Sequence, residues 1–347
     1  MKLLRKLLFP FAVLYGLVTA IRNYLYDAQI LKSSSFDIPV IAVGNLSVGG
    51  TGKSPQIEYL IRLLSPRYKV ATLSRGYKRT TKGFVLADEN ATAETLGDEP
   101  FQFYSKFQNI IVGVDADRTH GISKLLEFKP DVILLDDAFQ HRKVKAGFYI
   151  LLTSYNDLYA DDFILPMGNL RESRSGAKRA DIVVVTKCRK EMSGAELNEI
   201  RLKLALEPQQ RLFFTYIDYD DNVYGENGSL PFHDIKNQSK ILLAGIAKPR
   251  PFFAHLQHEN DLILEFPDHH SFTDLEVKRI REKAKTGKVI TTEKDYVRLK
   301  DRWAESIPPG PIGPGNLYYL PIKSTFISGG EDFDLAILEY VSSGAPS

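Results

Sequence analysis

Gly44-Asn45-Leu46-Ser47-Val48-Gly49-Gly50-Thr51-Gly52-Lys53-Ser54-Pro55 stands between an apolar run and a helical pattern. Strand, glycine-rich loop and helix in that order are the context a phosphate-binding loop requires. Gly49, Gly50, Thr51 and Gly52 let backbone N–H groups surround an anion at a helix N-terminus, where Lys53 reaches the β- and γ-phosphates and the Ser54 hydroxyl reaches Mg²⁺. The strict spacing asks for glycine five residues before Gly52, where Ser47 stands, so Gly49-Gly50 must compensate. A P-loop also needs a carboxylate strand. Asp131-Val132-Ile133-Leu134-Leu135-Asp136-Asp137 is an apolar run ending in two acids, one of which should complete the Mg²⁺ shell.

Gln140-His141-Arg142 follows the acid pair and could point into the same crevice; three other polar clusters sit at expected loops, Ser74-Arg75-Gly76-Tyr77, Gly97-Asp98-Glu99-Pro100 and Phe266-Pro267-Asp268-His269-His270. Taken singly each reads as loop polarity. Thr186-Lys187-Cys188-Arg189 stands where guanine-binding P-loop proteins carry Asn-Lys-x-Asp. A cation replaces the base-reading acid, which favours ATP over GTP and disfavours the alternative reading, a GTPase or metal-delivery switch protein.

Short β-branched runs alternate with helix-period stretches. The pattern predicts strands over 38–43, 69–73, 109–114, 131–135, 148–152, 182–186 and 211–217, with helices over 56–64, 121–128 and 193–206. Strands without period-2 polarity belong to a mostly parallel α/β sheet covered by helices on both faces. A polar stretch over 218–228 reads as a hinge. A smaller α/β domain follows, with strands over 240–246, 262–266 and 288–292 and helices from 251 and over 273–285. The expected division is an N-terminal helix over 1–32, a P-loop domain over 33–217, the smaller domain with its hinge over 218–330, and a closing helix over 331–347 that could pack on either.

The chain has 347 residues, 44% hydrophobic and 25% charged, with a net charge of +2. That is globular composition for about two domains and too balanced for a nucleic-acid partner bound through a basic surface. A single cysteine, Cys188, excludes an internal disulfide and a Cys-based zinc site, and suits a reducing compartment. Lys2, Arg5, Lys6, Arg22 and Lys32 flank the uncharged run 7–21. The run is too short to span a bilayer, and a nucleotide site shortly after it argues against a cleaved signal peptide. It reads as an interfacial helix, peripheral or monotopic, with a helix buried in the protein's own core as the competing reading.

Together these segments closely resemble the tetraacyldisaccharide 4′-kinase family, the lipid A 4′-kinases of Gram-negative bacteria. The resemblance rests on 44–55, Ser74–Tyr77, Gly97–Pro100, Asp136-Asp137-Ala138-Phe139-Gln140-His141-Arg142, Pro166 through Leu170-Arg171-Glu172, and Asp268-His269-His270, in family order over nearly the whole chain. It implies ATP- and Mg²⁺-dependent phosphorylation of the 4′-hydroxyl of an acylated disaccharide 1-phosphate lipid at the cytoplasmic face of the inner membrane. Asp98 would be the base for that hydroxyl, and His269 would orient it from the second domain. Glu172 would add a metal contact and Arg171 a phosphate contact.

Overall fold

A computed structural model of the chain describes residue 5 and residues 7–284, 287–305 and 316–344. Lys2, Lys6 and the Pro/Gly-rich loop over 308–315 lie outside them.

Nine strands form the larger sheet. Their order is β15(Ile322–Phe326)-β8(Arg211–Tyr219)-β7(Ile182–Cys188)-β6(Phe148–Ser154)-β1(Val40–Asn45)-β5(Val132–Asp136)-β2(Val70–Ser74)-β4(Ile111–Val114)-β3(Val85–Leu86). All inner pairings are parallel; only the edge strands β3 and β15 run antiparallel. In β1, Ile41 and Val43 enter one core while Val40 and Ala42 enter another, so period-2 alternation survives with both faces buried. The first face is covered by helices α2(Lys53–Leu64), α4(Asp98–Lys106), which follows the short α3(Ala93–Leu96), and α11(Gly330–Ser342). The opposite face is covered by α5(Arg118–Leu126) and α6(Gly194–Leu204). The chain leaves β1 toward β2 on one side and reaches β6 on the other, which puts the topological switch point at the end of β1.

The smaller sheet has six strands, β10(Gly228–Pro231)-β9(Asn222–Gly225)-β14(Leu317–Leu320)-β13(Val289–Thr292)-β11(Ile241–Ala244)-β12(Leu262–Glu265). Its helices are α7(Phe232–Lys236), α8(Arg250–Leu256), α9(Asp274–Ala284) and α10(Glu293–Glu305).

Two expectations about organisation are corrected. The polar stretch over 218–228 is not a free hinge: most of it forms the β9–β10 hairpin, which pairs with β14 inside the smaller sheet. Polar side chains suffice there because a hairpin at a sheet edge needs only one packed face, supplied by Val223 and Leu230. The smaller domain also ends before residue 330. At Ile322 the chain returns to pair with Tyr219, so β8 and β15 carry it out and back side by side. The closing helix α11 then packs on the larger domain through Phe333, Ala336, Ile337 and Val341.

The N-terminal helix α1(Phe9–Asp27) buries only Ala12. Phe9, Phe11, Val13, Leu14, Leu17, Val18 and Ile21 are each at least half exposed. Among the described residues these side chains stay half exposed and do not enter a core, which speaks against the competing core-helix reading. No helix among the described residues is long and apolar enough to cross a membrane.

Candidate active site

The parallel register sets Val43 beside Asp136, so the P-loop and the acid pair emerge side by side at the carboxyl edge of the sheet. Gly49 and Gly52 have φ of +113° and +87°, a region that L side chains avoid. Gly52 is the N-cap of α2 and offers no side chain to the first helical amides. Those N–H groups are left for an anion, with the helix dipole behind them. Ser47 explains the departure from the strict pattern. It forms a bridge with Leu170 while Val48 N–H donates to Asn169 O at 2.8 Å and Arg171 N–H to Leu46 O at 2.7 Å. This side of the loop is extended and strand-paired, so it needs no glycine.

Lys53 Nζ lies 3.4 Å from both Asn45 Oδ1 and Asp137 Oδ1. Arg171 Nη1 holds the same Asp137 carboxylate at 3.1 and 3.2 Å. Burial pushes Asp137 up, yet Lys53 and Arg171 together hold it below the usual carboxylate range. Asp136 is the opposite case: burial, then the neighbouring Asp137 charge, pushes it up to about 6. Its Oδ2 accepts from Ser74 Oγ at 3.3 Å, whereas its buried Oδ1 has no hydrogen-bond partner. A buried carboxylate oxygen with no donor, next in sequence to a second acid and on the strand in register with the one that leads into the P-loop and the buried Ser54, fits a hard divalent cation with oxygen ligands. Among the described residues no cluster of three or more His, Cys, Asp or Glu groups competes as a metal site. Glu172 is differently placed. Its Oε1 is paired with Arg179 at 2.8 Å and accepts from Gln140 at 3.0 Å, and its Oε2 accepts from Asn23 at 2.7 Å.

The end of β7 closes over the loop. Thr186 Oγ1 donates to Thr51 O and Lys187 Nζ to Gly50 O, both at 2.7 Å. Lys187 is thus spent on the loop backbone.

Asp98 opens α4 after Gly97, whose φ is +94°. His269, from the loop after β12, brings Nδ1 to 3.1 Å of Asp98 Oδ2. The neighbouring His270 instead stacks on Phe266 and contacts Glu276 at 3.1 Å, which leaves His269 as the one that meets Asp98. Sequence reasoning missed Arg298, on α10, whose Nε and Nη2 lie 3.0 and 2.5 Å from Asp98 Oδ2. Its signal was present in the helical spacing of Tyr296, Leu299 and Trp303 through a charge-rich segment. Helix α10 also pairs Lys294 with Glu99 at 2.5 Å. Burial pushes Glu99 up, but the Lys294 ammonium prevails and holds it down at about 2. Thus Lys53, Ser54, Asp136 and Asp137 gather at the P-loop, Asp98 and His269 meet across the two sheets, and Glu172 stands apart in its own ion pair.

A P-loop at the switch point, a carboxylate strand in register beside it and an Asp of the larger domain met by a His from the smaller one define a P-loop phosphotransferase. The sequence model of the tetraacyldisaccharide-1-P 4′-kinase family matches residues 4–342. A tetraacyldisaccharide 4′-kinase of Flavobacterium johnsoniae is 66% identical over 343 residues, spanning 98% of each chain. That of Bacteroides thetaiotaomicron is 42% identical, spanning 97% of this chain and 93% of its own. A crystal structure of LpxK from Aquifex aeolicus in complex with ATP superposes with a TM-score of 0.77 at 29% identity, covering 97% of this chain and 99% of that one. The chain belongs to the tetraacyldisaccharide 4′-kinase family.

Proposed function

We propose the following division of labour for the family's reaction, ATP-dependent phosphorylation of the 4′-hydroxyl of a tetraacyldisaccharide 1-phosphate to lipid IVA in lipid A biosynthesis. The uncapped amides of α2 and the Lys53 ammonium bind the phosphate oxygens of ATP. Ser54, Asp136 and Asp137 would hold Mg²⁺, which when bound neutralises phosphate charge. Asp98 Oδ1 takes the acceptor hydroxyl's proton as the new O–P bond forms and the bond to ADP breaks, while His269 orients the carboxylate. Arg171 offsets the charge of Asp137 and is the second cation, beside Lys53, assigned to the phosphates. Glu172, rather than joining the metal shell, ties α1 to the strand-paired side of the P-loop.

The observation that carries this reading is the meeting of Asp98 and His269 across two domains, at 3.1 Å, on the same sheet edge as the P-loop. Closure of the smaller domain builds the base and excludes water together. The apolar face of α1 fits a lipid acceptor: it rests on the anionic cytoplasmic leaflet of the inner membrane and delivers the site to the headgroup level. The test is transfer of labelled γ-phosphate to tetraacyldisaccharide 1-phosphate in detergent micelles. A doubly phosphorylated lipid formed with ATP supports the reading. Equal nucleotide hydrolysis with and without lipid, or preference for GTP, would favour the nucleotide-switch alternative.

A further inference from the structure

Among the described residues, the hydrogen bonds made to the Asp98 side chain converge on one oxygen. Arg298 Nε and Nη2 and His269 Nδ1 all address Oδ2, at 3.0, 2.5 and 3.1 Å. Among the described residues no donor is bonded to Oδ1. Arg298 is itself held in place: Nη1 pairs with Asp295 Oδ1 at 3.0 Å, and Asp295 is fully buried, with Oδ2 accepting from Gly245 N–H and Thr292 Oγ1 at 2.8 and 2.6 Å. The chain of contacts runs from the smaller sheet through Asp295 and Arg298 to the base on the larger domain. Arg298 Nη2 also lies 3.0 Å from His269 Nδ1. Since a neutral imidazole nitrogen either donates or accepts, this nitrogen serves Asp98 or Arg298 but not both.

We propose that Arg298 is a positioning residue for phosphoryl transfer: its planar guanidinium locks Asp98 through Oδ2 and leaves Oδ1 to receive the acceptor's proton. The inference rests on the reading of Asp98 as base. A lysine could match the charge but would offer a point contact in place of two fixed N–H directions. The other charged groups around Asp98 are His269 from the loop after β12, Lys294 and Asp295 from α10, and Glu99 on its own helix. Lys294 is committed to Glu99 and Asp295 to Arg298, so neither substitutes for Arg298.

The test compares full-length Arg298→Ala, Arg298→Lys, Lys294→Ala, Asp98→Asn and the Asp98→Asn/Arg298→Ala double variant for kcat, acceptor KM, ATP affinity and thermal midpoint. Arg298→Ala should lower kcat about 10- to 100-fold through a misplaced base, with ATP affinity unchanged. Arg298→Lys should recover part of the loss. In the Asp98→Asn background the Arg298 substitution should cause no further loss, because the carboxylate it positions is gone. Lys294→Ala, which loosens the same helix without touching Asp98, should retain most of kcat. Additive losses in the double variant, equal losses for Lys294→Ala and Arg298→Ala, or a lowered midpoint with normal kcat would each overturn the positioning role. Near-normal kcat in Asp98→Asn alone would instead remove the base assignment itself.

Discussion

The Asn23 side-chain amide donates to Glu172 Oε2 across 2.7 Å, joining the N-terminal helix to the segment that is strand-paired with the P-loop. The same polar face of α1 donates through Tyr15 to Arg171 O and through Arg22 to Gln140 O, each at 3.0 Å, and Asp27 pairs with Arg142 at 2.6 Å. Among the described residues its apolar face is left largely exposed. Replacing Leu14 and Leu17 together by Glu should therefore abolish flotation on anionic liposomes, since each buried leucine contributes about 1.5–3 kcal/mol to insertion. Thermal midpoint and ATP binding should not move. Undiminished liposome binding would show that α1 is not the membrane contact.

Lys53→Ala and Asp98→Ala should each abolish kinase activity by different routes. Lys53 balances Asp137 and, in the proposed division of labour, meets the nucleotide phosphates, so its loss should weaken the nucleotide complex or its transition state. Asp98, as the proposed base for the acceptor, stands on the other side of the transfer, and its loss should leave ATP binding nearly intact. Calorimetric ATP titration of both variants separates the two routes. Near-normal turnover of Asp98→Ala at saturating lipid would contradict its role.

Asp136→Asn and Glu172→Gln should part company when Mg²⁺ is titrated. Losing the Asp136 charge should raise the Mg²⁺ concentration needed for half-maximal rate by tenfold or more, on the order of 1.4 kcal/mol. Glu172→Gln should leave that midpoint in place and lower the thermal midpoint, because Arg179 loses its buried partner. A shifted Mg²⁺ midpoint in Glu172→Gln would restore it to the metal shell.

Lys106 joins the domains: its ammonium lies 2.7 Å from Glu58 on the P-loop helix and 2.8 Å from Glu293 on α10. Burial and the nearby Glu58 charge push Glu293 up, and Lys106 opposes that shift. Lys106→Ala should destabilise the chain by about 3 kcal/mol, because two buried carboxylates then face each other without their shared cation. Adding Glu293→Gln should recover part of it. Urea unfolding of the single and double variants reads the difference, and additive losses would exclude the coupling.

His141 supplies a pH dependence. Burial first, then the Arg118 and Arg75 charges, push it down to about 4 from the usual 6.5. The unfolded chain therefore binds a proton near pH 6.5 that the folded chain refuses until about pH 4. This contribution is whole above pH 6.5 and is lost as pH falls toward 4. His141→Gln should remove that part of the acid sensitivity, about 1–2 kcal/mol after allowance for the ring's partial exposure. Chemical denaturation of both proteins at pH 7 and pH 5 measures it; parallel losses would place the acid sensitivity elsewhere.

Local order determined what was readable in the residues alone. Apolar β-branched runs bounded by glycine and charge predict β1, β2, β5, β6 and β7 to within about two residues, because burial on both faces is written into consecutive side chains. The P-loop and the Asp136-Asp137 pair are contiguous, so their chemistry is legible before their geometry. Asp98 and His269 were named through family resemblance, since 171 residues separate them and neither has a local signal of its own. Only the tertiary structure showed Arg298 completing that pair, Glu172 turned toward Arg179 and Asn23, and β15 returning to the larger sheet. These are long-range choices among polar groups of comparable local propensity. The buried partner that satisfies each charge is set by how helices and sheets pack, which no window of neighbouring residues contains.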